Sequence, residues 1–456
     1  MGKIEQLQAI SPLDGRYADK TQALAPIFSE FGLIKRRLAI EAAWLEVLCS
    51  GILPDVKAIS KSDRSYLQAI AKDFSPNDAL EIKTIEHTTN HDVKAVELWL
   101  RQKLAAQPVF RSHIELIHFG ITSEDINNLA SAMQIRDALE IVISPALAGI
   151  IIDLESKAQR YAKVPMLART HGQPATPTTL GKEMKVFEQR LKSSSDRLMA
   201  IAIYAKWNGA TGNYNALQFA YPEVDWLKIS RQFVESLGFT ANLLTTQIEP
   251  HDWLAAFCNE AGLGGAIMTD LARDMWTYIS LGYFRQSIKA GEVGSSTMPH
   301  KVNPIDFENA EANFGLAHAL LDFLAAKLPI SRLQRDLSDS SAQRALGEAF
   351  GHFLVGCQSL TKGLAGVSAD TSKIAADLEN QWAVLSEAVQ TLMRRYQVQG
   401  AYEAIKNVSR GQSMSQADYQ QLIDSLTLPE TEKIRLRDLT PQTYLGLAAE
   451  LARLSQ

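Results

Sequence analysis

After Pro250, apolar residues return at every fourth position, as Leu263, Ile267, Leu271, Met275 and Ile279, with Asp270 and Asp274 between them. A period near 3.6 residues puts these side chains on one face of a long amphipathic helix turned toward a core. A second helix opens at Thr122, where the Thr-x-x-Asp spacing to Asp125 is a capping box and Ile126, Leu129 and Met133 continue the apolar face. Pro145 is expected to kink that helix or split it, because proline lacks a donor and crowds the preceding turn. Alternating strand-type runs bounded by turn pairs are scarce, and no regular βα alternation runs along the chain. A doubly wound sheet or TIM barrel is therefore excluded, and the predicted fold class is all-α.

A chain of 456 residues is about three times the ~150 expected per domain. Turn-rich stretches at 50–55 and 107–111, and a polar stretch from Gly366 to Ser372, suggest the borders. We expect an N-terminal helical domain over residues 1–111, a central long-helix bundle over 112–364 and a C-terminal helical domain over 365–456. The 46 basic and 51 acidic residues leave a net charge of −5, without the basic excess of a dedicated nucleic-acid binder. Cys49, Cys258 and Cys357 are too few and too far apart for a disulfide framework or a CxxC metal site, which fits a reducing compartment. The most apolar stretch, Ile141 to Ile152, is bounded by Glu140 and Asp153 and interrupted by Pro145, short of the ~18 apolar residues of a membrane span. The opening MGKIEQLQAI has no apolar signal core, and Gln6 stands where a myristoylation signal needs Ser or Thr. A soluble cytoplasmic protein is expected.

Polar, glycine-bearing segments interrupt the helices, and loops on a rigid scaffold are where sites are usually built. In Arg169–Pro177, two prolines and a glycine hold the backbone outside a helix and present His171, a side chain suited to proton transfer near neutral pH. A capping or structural histidine is the competing reading. The stretch Gly294–Pro304 is dense in donors, carries Lys301 and could close over an anion, although a solvated Ser/Thr/Pro loop has the same composition. Thr88–Lys94 is a third polar segment, and Thr122–Asp125 opens a helix whose free N–H groups suit a carboxylate or phosphate; most such caps are only caps. Arg332–Arg344 combines three arginines with hydroxyls, as a phosphate clamp or as a salt-bridged surface.

Other chemistries fit less well. No Walker A sequence is present, and Gly209–Asn213 is not a dinucleotide fingerprint. His87 and His91 have the spacing of a zinc pair but no HExxH around them and no evident partners, so no metal is expected. Ser295 does not sit in a GxSxG elbow. Residue chemistry alone reaches an all-α protein with an anion-binding, histidine-bearing site.

The motifs TTNHDVKA, HFGITSEDINN, RTHGQPATP and GSSTMPHKVNP together resemble the fumarase/aspartase superfamily. His300, the Gly172-Gln173-Pro174 run after His171 and the Asn90-His91-Asp92-Val93 segment are similar to its purine-nucleotide branch, in the bacterial form. The resemblance extends from Ser11–Tyr17 to the C-terminal region, with no departure from the motifs. It implies three helical domains and a homotetramer whose active sites each draw on three subunits. It implies β-elimination of fumarate from the small-molecule purine nucleotides adenylosuccinate and succinylaminoimidazole carboxamide ribotide, with no metal or organic cofactor. By the same resemblance His171 is the general acid and Ser295 the general base. Thr122, Ser123, Ser296, Lys301 and Asn303 would hold the succinyl carboxylates, and His91 would orient the substrate and assist His171. Arg16, Tyr17, Arg335, Ser340 and Arg344 would hold the phosphate and ribose, with Asn90, Asp92, Gln247 and Asn309 completing the pocket.

Two alternatives stay open on sequence alone. One is another lyase of the superfamily, such as an argininosuccinate-cleaving enzyme, distinguished by which succinyl compound releases fumarate. The other is a catalytically silent homologue, against which stand His171, Ser295 and Lys301 together.

Overall fold

The computed structural model describes residues 3–287, 298, 300–400 and 414–454. The chain is all-α: long helices carry the architecture, and the strands of the described residues are two- or three-residue pairs. These residues group into two compact units, each assembled from three stretches. The first comprises Met1–Ala146, Ser194–Ala266 and Ala312–Gln358, and the second Leu147–Ser193, Ile267–Glu311 and Ser359–Gln456.

In the first unit the helix Glu30–Val47 packs on Lys61–Lys72, Asp92–Ala105 and Ser123–Ala138. It starts where Ser29 accepts from the Gly32 amide, and Gly32 is required, because a Cβ there would lie 2.6 Å from the Pro26 carbonyl oxygen. The packing includes an aromatic cluster: Trp44, Trp207 and Phe233 meet edge-on or tilted, with centroids 4.5–5.2 Å apart. The helix opening at Thr122 runs as Ser123–Ala138, widens into a π-helical turn over Leu139–Ile143, and resumes as Ser144–Arg160. Pro145 thus exerts its effect upstream, where a wider turn absorbs the missing donor.

The helix after Pro250 spans Asp252–Ser280. Ile267, Leu271 and Met275 are buried as the period predicts, but Leu263 is exposed, so the apolar stripe is longer than the face the chain covers by itself. In the second unit, Leu385, Val389, Met393, Met414, Tyr419, Ile423, Leu426 and Leu436 form a core of their own, built from the last 75 or so residues that the sequence marks as a helical block. Tyr419 is fully buried and its hydroxyl donates to the Leu436 carbonyl at 2.9 Å. Tyr419→Phe removes one of that carbonyl's donors, the Leu439 amide remaining at 3.1 Å, and is expected to cost ~0.5–1.5 kcal/mol, read as a lowered thermal unfolding midpoint. An unchanged midpoint would show that the hydroxyl's hydrogen bond adds nothing to stability.

Candidate active site

Three segments of the first unit converge on one cavity. The helix Pro76–Thr89 ends at Asn90 in the left-handed region (φ 52°), and His91, extended, caps the next helix Asp92–Ala105 by accepting from the Lys94 amide at 3.1 Å. So tight a corner leaves Asn90 and His91 exposed and turns Asp92 toward Arg37, 2.7 Å away. Burial opposes the Asp92 charge, but Arg37, the Val93 amide and His91 together outweigh it and hold the carboxyl below its ordinary range.

The second segment leads into the helix Ser123–Ala138. His118 (φ 59°) pairs with buried Glu41 at 2.6 Å, the Trp44 indole donates to the Phe119 carbonyl, and a Cβ on Gly120 would lie 2.2 Å from the Leu217 side chain. The chain therefore reaches Thr122 along one path. Asp125 accepts from the Thr122 amide at 2.9 Å, which is the reciprocal half of the expected capping box. The same carboxylate accepts from the Asn208 and Gly209 amides and pairs with Lys206 at 3.1 Å, both partners being fully buried. Asp125 thus anchors the helix start, leaving Thr122 and Ser123 to the cavity.

The third segment carries the arginines. Asp336 accepts from the Ser338 hydroxyl and from the Ser338 and Arg332 amides, and these bonds hold its carboxyl far below the ordinary range. The turn directs Arg335 inward, where Nη1 donates to Gln247 at 3.2 Å and Nη2 to Ser340 at 3.1 Å. Arg344 is largely exposed, 3.3 Å from Glu30 and 3.9 Å from Asp92. Arg332 pairs with Asp336 on the surface and does not line the cavity.

The cavity encloses about 770 Å³ and is lined by Asn90, His91, Asp92, Thr122, Ser123, Arg335, Ser340 and Arg344 among the expected residues. Gln247 reaches it through Arg335. Arg16 is exposed and Tyr17 half-buried beside the short helix Ala18–Thr21; both belong to this unit but not to the cavity wall. Sequence inspection missed Arg37, Asn127, Gln134 and Glu124 on the wall. A polar residue once per helical turn on the inner side of Ser123–Ala138, as at Glu124, Asn127, Ser131 and Gln134, was the available signal.

From Glu124 and Arg335 on that wall a buried charge cluster extends to His251 and Asp339. Glu124 is 1% exposed, with Oε2 3.1 Å from Arg335 Nη2, and Asp339 faces His251 at 3.7 Å. Burial pushes the Glu124 carboxyl up to about 7; Arg335, His251 and Lys206 draw it down and Asp339 raises it. Burial raises Glu249 as well, whereas Asp339 is held low despite burial by His251, the Ser340 amide and Arg335. Donor atoms of Glu124, His251 and Asp339 lie within 4.8 Å of one another. The protein's own Arg335 already supplies the cation at this point, so the cluster is an ion-pair network.

The second unit holds the remaining expected residues. Arg169–Thr170 and Gln173–Pro174 pair antiparallel, and His171 (φ 52°) and Gly172 (φ 74°) form the two-residue turn between them. Positive φ at both positions is a type I′ hairpin, which projects the His171 side chain into solvent at the tip. Just after the hairpin, Thr176 donates to Glu387 at 2.5 Å, and Tyr444 donates to the same carboxylate at 3.1 Å. Lys301 is exposed and Asn303 half-buried before the helix Ile305–Lys327, and Asn309 on that helix donates to Ser359 at 2.8 Å. Ser295 and Ser296 lie outside the described residues.

Residues 15–316 match the Lyase family, and residues 331–445 match the Adenylosuccinate lyase C-terminal family. Among curated proteins, adenylosuccinate lyase of Vibrio cholerae serotype O1 is 48% identical over 98% of this chain and 99% of its own length. The Escherichia coli K12 adenylosuccinate lyase is 48% identical over 98% of both chains, and that of Legionella pneumophila strain Corby 49% over 98% of both. Among solved structures, 3-carboxy-cis,cis-muconate lactonizing enzyme from Pseudomonas putida superposes with a TM-score of 0.74 at 23% identity, over 94% of this chain and 95% of the other. Fumarate lyase from Mesorhizobium sp. BNC1 also gives 0.74, at 20% identity over 95% and 96%. These two likenesses concern the fold; with near-half identity along almost the whole length of the curated relatives, the chain belongs to the adenylosuccinate lyase family of the fumarase/aspartase superfamily.

Proposed function

We propose that the chain is a carbon–nitrogen lyase that eliminates fumarate from adenylosuccinate, giving AMP, and from succinylaminoimidazole carboxamide ribotide, giving the carboxamide ribotide, in purine nucleotide synthesis. The observation that carries this is one cavity with two anion-binding ends: Arg335, Ser340 and Arg344 on one segment, and Thr122 and Ser123 at a helix N-terminus on another. Its volume of about 770 Å³ suits a nucleotide-sized ligand. A spectrophotometric assay of fumarate release from adenylosuccinate tests the proposal, and no turnover by purified protein would refute it.

Elimination needs a base for a weakly acidic C–H beside a carboxylate, a stabiliser for the charge that builds on that carboxylate, and an acid for the departing nitrogen. Ser295 is the base and His171 the acid in this scheme. Lys301 and Asn303, with Thr122, Ser123 and Ser296, hold the succinyl carboxylates, and His91 orients the substrate. Arg16, Tyr17, Arg335, Ser340 and Arg344 bind the phosphate and ribose, while Asn90, Asp92, Gln247 and Asn309 complete the pocket. Neither metal nor organic cofactor takes part.

The working form is a cytoplasmic homotetramer with sites shared between subunits, and three helical domains divide each chain at about residues 111 and 364. In support, the long helices of a single chain leave Leu263, Trp276, Leu316 and Phe323 exposed, apolar area that association would bury. No helix among the described residues is long and apolar enough to cross a membrane.

Arg344→Ala is expected to raise KM for adenylosuccinate by roughly 10- to 150-fold with a smaller effect on kcat, since a charge-assisted phosphate contact is worth ~1.5–3 kcal/mol. Steady-state kinetics decides it: an unchanged KM removes Arg344 from the phosphate site.

A further inference from the structure

We propose that Glu124 couples anion binding at Arg335 to the uptake of one proton from solvent. The proposal rests on Arg335 being the anion-binding arginine of the cavity, and it begins from an unfinished contact. Glu124 Oε2 and Arg335 Nη2 are 3.1 Å apart, yet Oε2 is fully buried and makes no hydrogen bond, and Arg335 Nε is buried without a partner as well. The pair is held together by charge and not by directed bonds. Arg335 spends its other donors on Gln247 and Ser340, both at the cavity side.

A phosphate arriving at the guanidinium competes with Glu124 for the same positive charge. A carboxylate that is 1% exposed and loses its counter-ion cannot turn to water, so the remaining relief is protonation. The surroundings point to Glu124 as the acceptor. On its own helix, Asp125 is committed to Lys206 and two amides. Lys206, from the strand Tyr204–Ala205 side, donates to Gly209 and is not free to serve Glu124. Asp339, on the helix Ser338–Gln343, faces His251 and adds negative charge, and Glu249 lies on the far side of His251 at 4.0 Å. Toward the cavity, Arg37 is paired with Asp92; His91, Glu86, Glu30 and Arg344 line the rest of the wall. Among the buried acids nearest Arg335, Asp339 is held ionised, whereas Glu124 already sits close to its midpoint at neutral pH.

The sign follows from linkage. If the bound state holds a proton that the free state has lost, affinity falls as pH rises above about 7, by up to about tenfold in Kd per pH unit, until the bound form also ionises. AMP is the probe, with calorimetric titrations at pH 7.5 to 8.5 in two buffers of different ionisation enthalpy. Wild-type protein is expected to take up a substantial fraction of one proton per AMP, and Glu124→Gln to take up less by that fraction. The phosphate of AMP titrates equally in both, so the difference isolates Glu124. Equal proton counts in the two proteins would overturn the coupling while leaving the nucleotide function intact. Should Glu124→Gln fail to fold, the wild-type pH series decides: a Kd for AMP that is flat from pH 7 to 8.5 overturns the proposal. If AMP does not bind, inorganic sulfate, which does not titrate here, replaces it with the same expected count. Binding of sulfate alone would refute the nucleotide function and not the coupling, and binding of neither would refute both.

Discussion

Ser295→Ala protein is expected to bind adenylosuccinate with near-normal affinity and to turn it over ~10²- to 10⁴-fold more slowly, the usual loss when a proton-transfer group is removed. One oxygen is deleted, so the fold and the arginine-bearing part of the cavity should be untouched. A neutral hydroxyl is a weak base and must be activated, and in the proposed scheme Lys301, six residues further along the chain, stabilises its alkoxide. Around Lys301 the chain is anchored: the Lys301 amide donates to the Met298 carbonyl at 3.0 Å, and Gln286 donates to the Val302 carbonyl at 2.9 Å. Loss of activation should therefore be separable, with Lys301→Met lowering kcat while Ser295 is present. Affinity and single-turnover rate are to be measured independently. Near-wild-type turnover in Ser295→Ala would remove the serine from the role of base, and lost binding would make it a ligand anchor.

The helical architecture is legible in the sequence, as are several polar segments that meet at the cavity, because both are local. Period and caps foretold Ser123–Ala138 and Asp252–Ser280, and the polar interruptions at 88–94, 122–125 and 332–344 became the wall of one cavity. What escaped was non-local. Leu263 belongs to an apolar stripe but not to the core of a single chain, and periodicity cannot say which part of a stripe another molecule covers. Pro145 was expected to act at its own position, whereas the π-turn at Leu139–Ile143 takes up the disturbance. Arg37 and Glu124 look like ordinary helix-surface charges in the sequence; only the packing of Glu30–Val47 against Ser123–Ala138 turns them inward. Burial then gives each a meaning, since an enclosed charge must be paired, protonated or used.

The largest effect expected of any pair of substitutions concerns assembly. His171→Asn should be inactive by itself, because an amide replaces the imidazole proposed to protonate the leaving nitrogen. Asparagine is chosen because it accepts the left-handed backbone that His171 adopts (φ 52°) at the head of the hairpin, so the turn should survive. Just after the hairpin Thr176 ties the chain to Glu387 within its own unit, and His171 stands exposed at the tip. An acid presented outward in this way is suited to completing a site on another copy, and the exposed apolar residues of the long helices supply the surface for bringing copies together. If His171 and Ser295 of one site come from different subunits, equimolar exchange of His171→Asn with Ser295→Ala chains should restore about a quarter of the sites, since each group is independently intact half the time. Recovery from near zero to about a quarter of wild-type specific activity is thus expected, after exchange verified by mass or tag. Verified mixed oligomers without recovery would mean that both groups of a site come from one chain, and the shared site would have to be given up.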